Sequence, residues 1–406
     1  MNTGDTAWLL VSAALVMLMT PGLALFYGGM VRPKNILGTV MQSFIVLGLV
    51  SVEWMLVGYS FAFGPDRGGV IGDLSWFALA GVGLEPFKEY GATVPHQAFM
   101  IYQMMFAVIT PALITGAFAE RFKFSTYLVF TLLWSLLVYN PVAHWVWGTG
   151  GWLRNLGVLD FAGGTVVHIT AGVSALAAAL VVGKRRGYGT ETLAPHNLPM
   201  TVLGAGILWF GWFGFNGGSA LAAGNLSTSA FVNTHMAAAA ATLAWVFTEW
   251  IHRGKPTVLG GASGCIAGLG TITPASGFVQ PVAAVAIGLA AGVLCYGAVM
   301  MKARTGVDDS LDVVGVHCVG GTLGTLATGL VATTAVNAAG ANGLFFGNPR
   351  QLAVQALAAG VILLYSFAVT FLLMKALDRV MGLRVGDENE SLGLDITQHG
   401  EAGYNV

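Results

Sequence analysis

Charge is scarce in this chain. Of its 406 residues, 9% are Asp, Glu, Lys or Arg, against roughly 25% in an ordinary soluble domain. That excludes a soluble enzyme, and also a disordered chain, which stays unfolded through high charge and low hydrophobicity. The 18 basic and 19 acidic residues nearly cancel. No basic face is left for a phosphate backbone, and no nucleic-acid partner is expected. Cysteine is sparse too. Cys265, Cys295 and Cys318 lie in apolar stretches with neither disulfide nor zinc spacing, and they read as small buried hydrophobes. No phosphate loop, dinucleotide fingerprint, catalytic triad or metal-ligand cluster is present in the sequence. The expectation is therefore no enzyme, no cofactor and no metal. The opening Met1-Asn2-Thr3-Gly4-Asp5 lacks the positive start of a cleaved signal peptide, so the first apolar run is expected to remain as a span.

Apolar residues fill the space that charge leaves. Hydrophobic types make up 55% of the chain, and its mean hydropathy is +0.73. The 57 glycines follow no three-residue period, which excludes collagen. An all-α polytopic membrane protein remains. Runs of about 20 apolar residues place spans near 7–28, 36–63, 97–118, 124–146, 164–183, 198–216, 229–251, 257–274, 281–301, 312–333 and 351–382. That predicts eleven transmembrane helices in residues 1–382, the last one long, with a polar cytoplasmic tail over residues 383–406.

Orientation follows from Lys and Arg in the connections. With the N-terminus outside, fourteen of them fall on the inner side or the tail, and four, Arg67, Lys88, Arg154 and Arg350, fall outside. The split predicts N-terminus out and C-terminus in. Two similarities link the halves. Phe26-Tyr27-Gly28-Gly29 ends span one as Phe215-Asn216-Gly217-Gly218 ends span six, and Val167-His168 in span five matches Val316-His317 in span ten. Five spans are an odd number, so the second copy enters from the opposite side. The expected arrangement is two inverted five-helix repeats, a common plan in transporters. The tail carries Asp387, Glu388, Glu390, Asp395 and Glu401. It reads as a solvated terminus or, more sharply, as a docking element.

Ionisable residues at membrane depth mark pathways. His168 and His317 occupy corresponding places, so their rings are expected to meet near the midplane. There they would offer donors and acceptors to a small guest or pass a proton on. Asp160, before Phe161-Ala162-Gly163-Gly164, suits a helix N-terminus and equally a cation-attracting mouth. Trp145, Trp147, Trp209, Trp212, Phe213 and Phe215 gather at predicted outer ends. An interfacial belt explains such residues, and a cation held over an indole face is the alternative. Phe106 and Phe215 are read as packing residues or as a plug in a narrow pore. Glu53 and Glu249 read as buried, paired carboxylates. Asp308, Asp309 and Asp312 precede span ten, and Asp312 is the expected cap of that helix. His144, His196, His235 and His252 have no partner that the sequence names.

These motifs resemble the ammonium transporter (Amt/Mep/Rh) family. The matching runs are Asp160-Phe-Ala-Gly-Gly-Thr-Val-Val-His168-Ile, Gly211-Trp-Phe-Gly-Phe215-Asn-Gly-Gly-Ser219, Asp312-Val-Val-Gly-Val-His317, Phe26-Tyr-Gly-Gly-Met-Val-Arg-Pro-Lys-Asn35 and Ala143-His-Trp-Val-Trp147-Gly. The resemblance implies a homotrimer in the cell (plasma or inner) membrane with one pore per subunit. It also implies roles: Trp147 and Ser219, with Phe106 at the rim, as an outer ammonium recruitment site; Phe106 and Phe215 as the gate; His168 and His317 as the pore pair; Trp212 as pore wall; Asp160 as support for vestibule and helix. Trp147 together with Ser219 is similar to the Amt branch rather than the Rhesus branch. Gly393-Leu394-Asp395 and His399-Gly400-Glu401 resemble the segment through which a PII-type regulator (GlnK) docks. No kinase or cyclase segment is read after the tail, so no fused sensor output is expected.

The implied function is ammonium or ammonia transport. The ion is recruited at the aromatic mouth, gives up its proton where the walls turn apolar, and crosses as ammonia with or without that proton. A receptor that binds ammonium without flux, and a neutral-gas channel, are the competing readings.

Overall fold

The computed structural model describes residues 1–404. Its regular structure is helical apart from one small antiparallel hairpin, Asp66–Arg67 with Ile71–Gly72, and a single bridge between Phe122 and Arg384. The helices are α1 (Thr3–Met30), α2 (Pro33–Phe63), α3 (His96–Phe118), α4 (Phe124–Leu156), α5 (Gly164–Val182), α6 (Leu198–Ala220), α7 (Asn225–Arg253), α8 (Val258–Ile272), α9 (Pro281–Thr305), α10 (Val314–Val331) and α11 (Pro349–Met381). Among the described residues, ten are long and apolar enough to cross a membrane, and α8 is the shorter one.

The expected eighth span, 257–274, is thus the one that falls short. Its 15 helical residues reach about 22 Å at 1.5 Å per residue, less than the roughly 30 Å of a hydrocarbon core. The chain continues as buried, non-helical turns over residues 273–279. Irregular backbone at such depth needs protein partners. Asn233 on α7 supplies them, donating to the carbonyls of Ser276 (2.8 Å) and Val279 (2.7 Å).

α3 is the central strut. In its most apolar window 94% of residues are buried, against 33% for α2 and 39% for α9 and α11. Those three present apolar side chains outward, among them Phe44, Leu294, Leu364 and Leu372, as lipid contact requires. α1 packs most extensively against α6. Four spanning helices contain a π-helical turn: Trp54–Gly58 in α2, Ser135–Tyr139 in α4, Gly164–Ile169 in α5 and Val314–Cys318 in α10. Such turns gather at functional places in helices.

The connections at one end of the bundle close over a buried ion network. The fully buried Arg121 donates to the carbonyls of Ala117, Ala119, Gly183 and Asp308 and to Ser310 Oγ. Arg185 bridges Asp308 (2.9 Å) and Glu120 (3.4 Å), and Glu120 also pairs with Arg32 (3.0 Å). One guanidinium thereby ties together the ends of three connections that are far apart in sequence.

The tail packs onto this same end, so its expected solvation does not hold. Glu390 pairs with Arg384 (2.7 Å) and accepts from the Arg186 N–H (2.7 Å). Asp395 accepts from the Gly38 N–H (2.9 Å), and Asn35 Oδ1 accepts from the Leu394 N–H (2.8 Å). Lys34 donates to the Ser391 carbonyl. Of the five tail acids, Glu390 and Asp395 are buried, while Asp387, Glu388 and Glu401 stay exposed. Residues 405 and 406 of the expected 383–406 tail lie outside the described residues.

Burial by itself would raise the Glu120 and Asp308 carboxyls. Arg185 and Arg32 at the first, and Arg185 and Arg121 at the second, outweigh it and hold both below the usual carboxylate range. Groups depressed in this way stabilise the fold above their unfolded values of about 4, and that stability is lost as pH falls through the folded values. Asp308→Asn is expected to cost about 3–5 kcal/mol near neutral pH, since it leaves Arg185 under-compensated. It is also expected to flatten the acid limb of the stability curve below about pH 4. Thermal unfolding of the detergent-solubilised protein between about pH 3 and 8 reads both effects.

Candidate functional site

At the bundle end opposite the tail, a cavity of about 450 Å3 is lined by Phe106, Trp147, Asp160, Ser219, Glu89 and Arg154, among others. The Trp147 indole N–H donates to the Asp160 carbonyl (2.9 Å), which fixes the ring. Phe106 meets that ring edge-on, centroids 5.9 Å apart. Below it Phe106 and Phe215 pack with centroids 4.3 Å apart, each 1% exposed. Phe106 lines the cavity, and Phe215 behind it borders the small space beyond. The Ser219 hydroxyl donates to the Phe215 carbonyl (2.9 Å).

Tyr102 was missed by the sequence reading. It is fully buried, and its hydroxyl lies 2.8 Å from the Phe215 carbonyl, 2.9 Å from that of Gly214 and 3.1 Å from Ser219 Oγ. It orients Ser219 and also packs edge-on to Phe106 at 5.0 Å. Its place four residues before Phe106, hence on the same helix face, is the signal that could have found it.

Beyond the two phenylalanines lie the histidines. His168 Nδ1 and His317 Nδ1 are 3.2 Å apart. Their rings are nearly parallel, 9° between planes and 5.2 Å between centroids. A hydrogen bond between two Nδ1 atoms needs one donor and one acceptor, so the neutral rings take opposite tautomers. His168 Nε2 is buried without a hydrogen-bond partner among the described residues. Trp212 lies parallel to His168 at 5.5 Å, its indole N–H donating to Thr273 Oγ1 (2.9 Å). Here the open space shrinks to about 10 Å3, bordered by Val167, His168, Leu208, Trp212, Phe215 and His317. That is near the minimum that holds one water-sized molecule. A further cavity of about 30 Å3, lined by Tyr27, Ser263, Asp312, Val313 and His317, follows toward the tail end.

Each histidine sits on a π turn at the start of its helix, and a carboxylate secures each start. Asp160 accepts from the N–H groups of Gly163 (2.8 Å), Gly164 (2.7 Å), Thr165 (2.8 Å) and Val166 (3.3 Å), and from the Thr165 hydroxyl. Both its oxygens are committed to the helix. In α10 that place belongs to Asp309, which accepts from the Val314 N–H (2.8 Å), and not to Asp312. Asp312 has a left-handed backbone (φ 63°) and pairs with Lys302 instead. The local turn therefore selects the acid three residues earlier. Burial raises the Asp309 carboxyl to about 6, with Lys302 opposing.

Two glycines let these helices approach. A Cβ on Gly321 of α10 would lie 2.8 Å from both the Gly164 carbonyl and His168 Cβ, and one on Gly172 of α5 would run into the Cys318 backbone. Without them the π turns could not come close enough for the rings to pair.

Other expected residues fall elsewhere. Trp145 donates to the Val70 carbonyl (2.7 Å), Trp209 lies against His235, and Phe213 stacks on Phe231. Glu53 is paired as expected, with Asn140 and Ser135. Glu249 is held by Thr257. Three of the histidines left without partners have them: His144 the Ala62 carbonyl and Asp66, His196 the Val31 carbonyl and Tyr404, His252 the Tyr296 hydroxyl. Among the described residues no group of three or more His, Cys, Asp or Glu is placed to hold a metal.

The Ammonium Transporter Family model matches residues 7–404. The ammonium transporter of Bacillus subtilis is 52% identical over 405 residues, covering 100% of this chain and 99% of its own. Ammonium transporter Amt1 of Archaeoglobus fulgidus is 48% identical over 404 residues, covering 100% of both. Among solved structures, Candida albicans Mep2 superposes with a TM-score of 0.91 at 36% identity, over 100% of this chain and 91% of that one. A structure titled Sensor Amt Protein gives 0.89 at 33% identity over 98% of both. A model match across nearly the whole chain, with full-length relatives about half identical, places this multi-pass membrane protein in the ammonium transporter family.

Proposed function

We propose that this protein carries ammonium across the cell membrane through the passage that runs from the Trp147 cavity to the imidazole pair. The single observation that carries this reading is the His168–His317 contact of 3.2 Å, behind an aromatic floor and in otherwise apolar walls. The Trp147 mouth faces outward and the tail inward, as the basic-residue asymmetry requires. All eleven helices then act as spans, with α8 completed by its buried turns. The like placement of the two histidine π turns supports inverted repeats formed by spans 1–5 and 6–10. The assembly is a homotrimer with one pore per subunit.

In this account ammonium sheds part of its water at the mouth. The faces of Trp147 and Phe106 and the Ser219 oxygen offset that loss. A smaller, more strongly hydrated cation such as sodium gains less there. Past Phe106 and Phe215 the walls are apolar, and a full charge becomes expensive. The ion gives up its proton, and ammonia, about the size of water, fits the small space beside the histidines. There it finds a donor or acceptor on imidazole nitrogens, while Trp212 holds one wall. The proton either follows along the imidazoles or returns outside. At the tail end, the packed segment from Leu383 to Tyr404 forms the inner face on which a PII-type regulator docks.

Trp147→Leu and Ser219→Ala are each expected to raise the half-saturating ammonium concentration about 3- to 30-fold, the equivalent of the roughly 0.5–2 kcal/mol of one cation–π or polar contact. Uptake measured in cells lacking other ammonium uptake checks this, and unchanged half-saturation in both variants overturns the recruitment site.

If the proton follows the imidazoles, replacing His168 and His317 together with apolar residues abolishes selective, proton-coupled current in proteoliposomes under an ammonium gradient. A double variant that retains wild-type current and still excludes potassium refutes the imidazole route.

A further inference from the structure

We infer that Glu53 is the positioning residue of the Trp147 mouth, acting through the π turn of α4; the inference rests on the recruitment site proposed above. Glu53 is 4% exposed and lies in α2 at membrane depth. It accepts from two side chains of α4, Asn140 Nδ2 (2.8 Å) and Ser135 Oγ (3.2 Å). Ser135 and Asn140 are five residues apart. On a regular α-helix they would point about 140° apart, at 100° per residue, and one carboxylate could not take both.

The π turn removes that conflict. The Asn140 N–H bonds to the Ser135 carbonyl, five residues back, and this stacks the two side chains on one face. Trp147 is seven residues past Asn140, two turns on and on the same face. A closed-up π turn, reverting to α-helix, would rotate that end by about 100° and carry the indole out of the cavity. The carboxylate therefore holds open the extra residue that aims Trp147.

Three further observations converge on the same place. α2 has its own π turn immediately after Glu53, at Trp54–Gly58. A Cβ on Gly58 would lie 2.8 Å from both Glu53 oxygens, so this glycine leaves the carboxylate its room. Farther along, His144 ties α4 to the end of α2 again through the Ala62 carbonyl (3.0 Å), and to Asp66 of the hairpin that follows α2 (2.9 Å). α7 and α9, which hold the corresponding places in spans six to ten, run as helices of 29 and 25 residues with no such turn. The device belongs to the half of the chain that carries Trp147 and not to a shared scaffold.

The test compares Glu53→Leu, Glu53→Gln and Ser135→Ala in ammonium uptake, normalised to protein in the membrane. Glu53→Leu is expected to raise the half-saturating concentration about 5- to 30-fold with the maximal rate held within about twofold, and Ser135→Ala about 2- to 5-fold. Glu53→Gln, whose carbonyl still accepts from Asn140, recovers most of the affinity. Hydrogen exchange over residues 140–147 is expected to rise in Glu53→Leu and not in Glu53→Gln.

Unchanged half-saturation in Glu53→Leu overturns the inference. So does a fall in maximal rate alone, equal in the Leu and Gln variants, which marks a purely structural carboxylate. If Glu53→Leu does not reach the membrane, Ser135→Ala decides by the same criterion. Wild-type protein without ammonium uptake sinks the transport reading, while exchange over residues 140–147 still decides whether Glu53 holds the turn.

Discussion

The site depends on one contact, the hydrogen bond between the Nδ1 atoms of His168 and His317. Two side chains from opposite halves of the chain must arrive at the same depth with their rings nearly parallel. Each is carried on a π turn, and each turn opens a helix whose first N–H groups have no partner of their own. In a membrane such groups cost several kcal/mol if left unpaired. Asp160 absorbs four of them at one helix, and Asp309 takes one at the other. Gly172 and Gly321 then remove the two Cβ atoms that would hold the helices apart. Caps, turns and glycines are thus parts of a single requirement.

Polar groups elsewhere in the bundle obey the same rule. The irregular segment after α8 survives at depth because Asn233 satisfies it. Arg121 is tolerated without solvent because four carbonyls and a hydroxyl surround it. Tyr102 is tolerated because its hydroxyl meets two carbonyls and Ser219. Each solution also ties together segments distant in sequence. Satisfying hydrogen bonds and fixing the tertiary arrangement are therefore one task in this protein, and the mouth, the floor and the histidines inherit their geometry from it.

Much of the site was legible in the residues. Two Val-His pairs in matching spans pointed to rings that meet, and they do. The run from Asp160 to His168 pointed to a capped helix start, and Asp160 caps it. What escaped was decided by local backbone geometry or by distant partners. Asp312 is the acid nearest span ten, yet its left-handed backbone turns it toward Lys302 and leaves the cap to Asp309. The apolar run at 257–274 is long enough on paper, but its last part is turn rather than helix. Five acids suggested a solvated tail, and two of them are buried, Glu390 against Arg384 and Arg186 and Asp395 against Gly38. The partners of His144 and His196 lie 78 and 165 residues away or more, beyond any periodicity.

Composition and apolar period by themselves determined that the chain is a bundle of membrane helices, because hydrocarbon burial depends only on which residues recur and over what length. They also showed that the basic residues divide unevenly among the connections, while the two Val-His pairs pointed to rings that meet. Tertiary structure alone decided which carboxylate caps which helix, where α-helix gives way to π turn, and which hydroxyl reaches which carbonyl. Those choices turn on differences of an ångström and of one residue's rotation, and they are set by whichever partner the packing of other helices brings within hydrogen-bond reach.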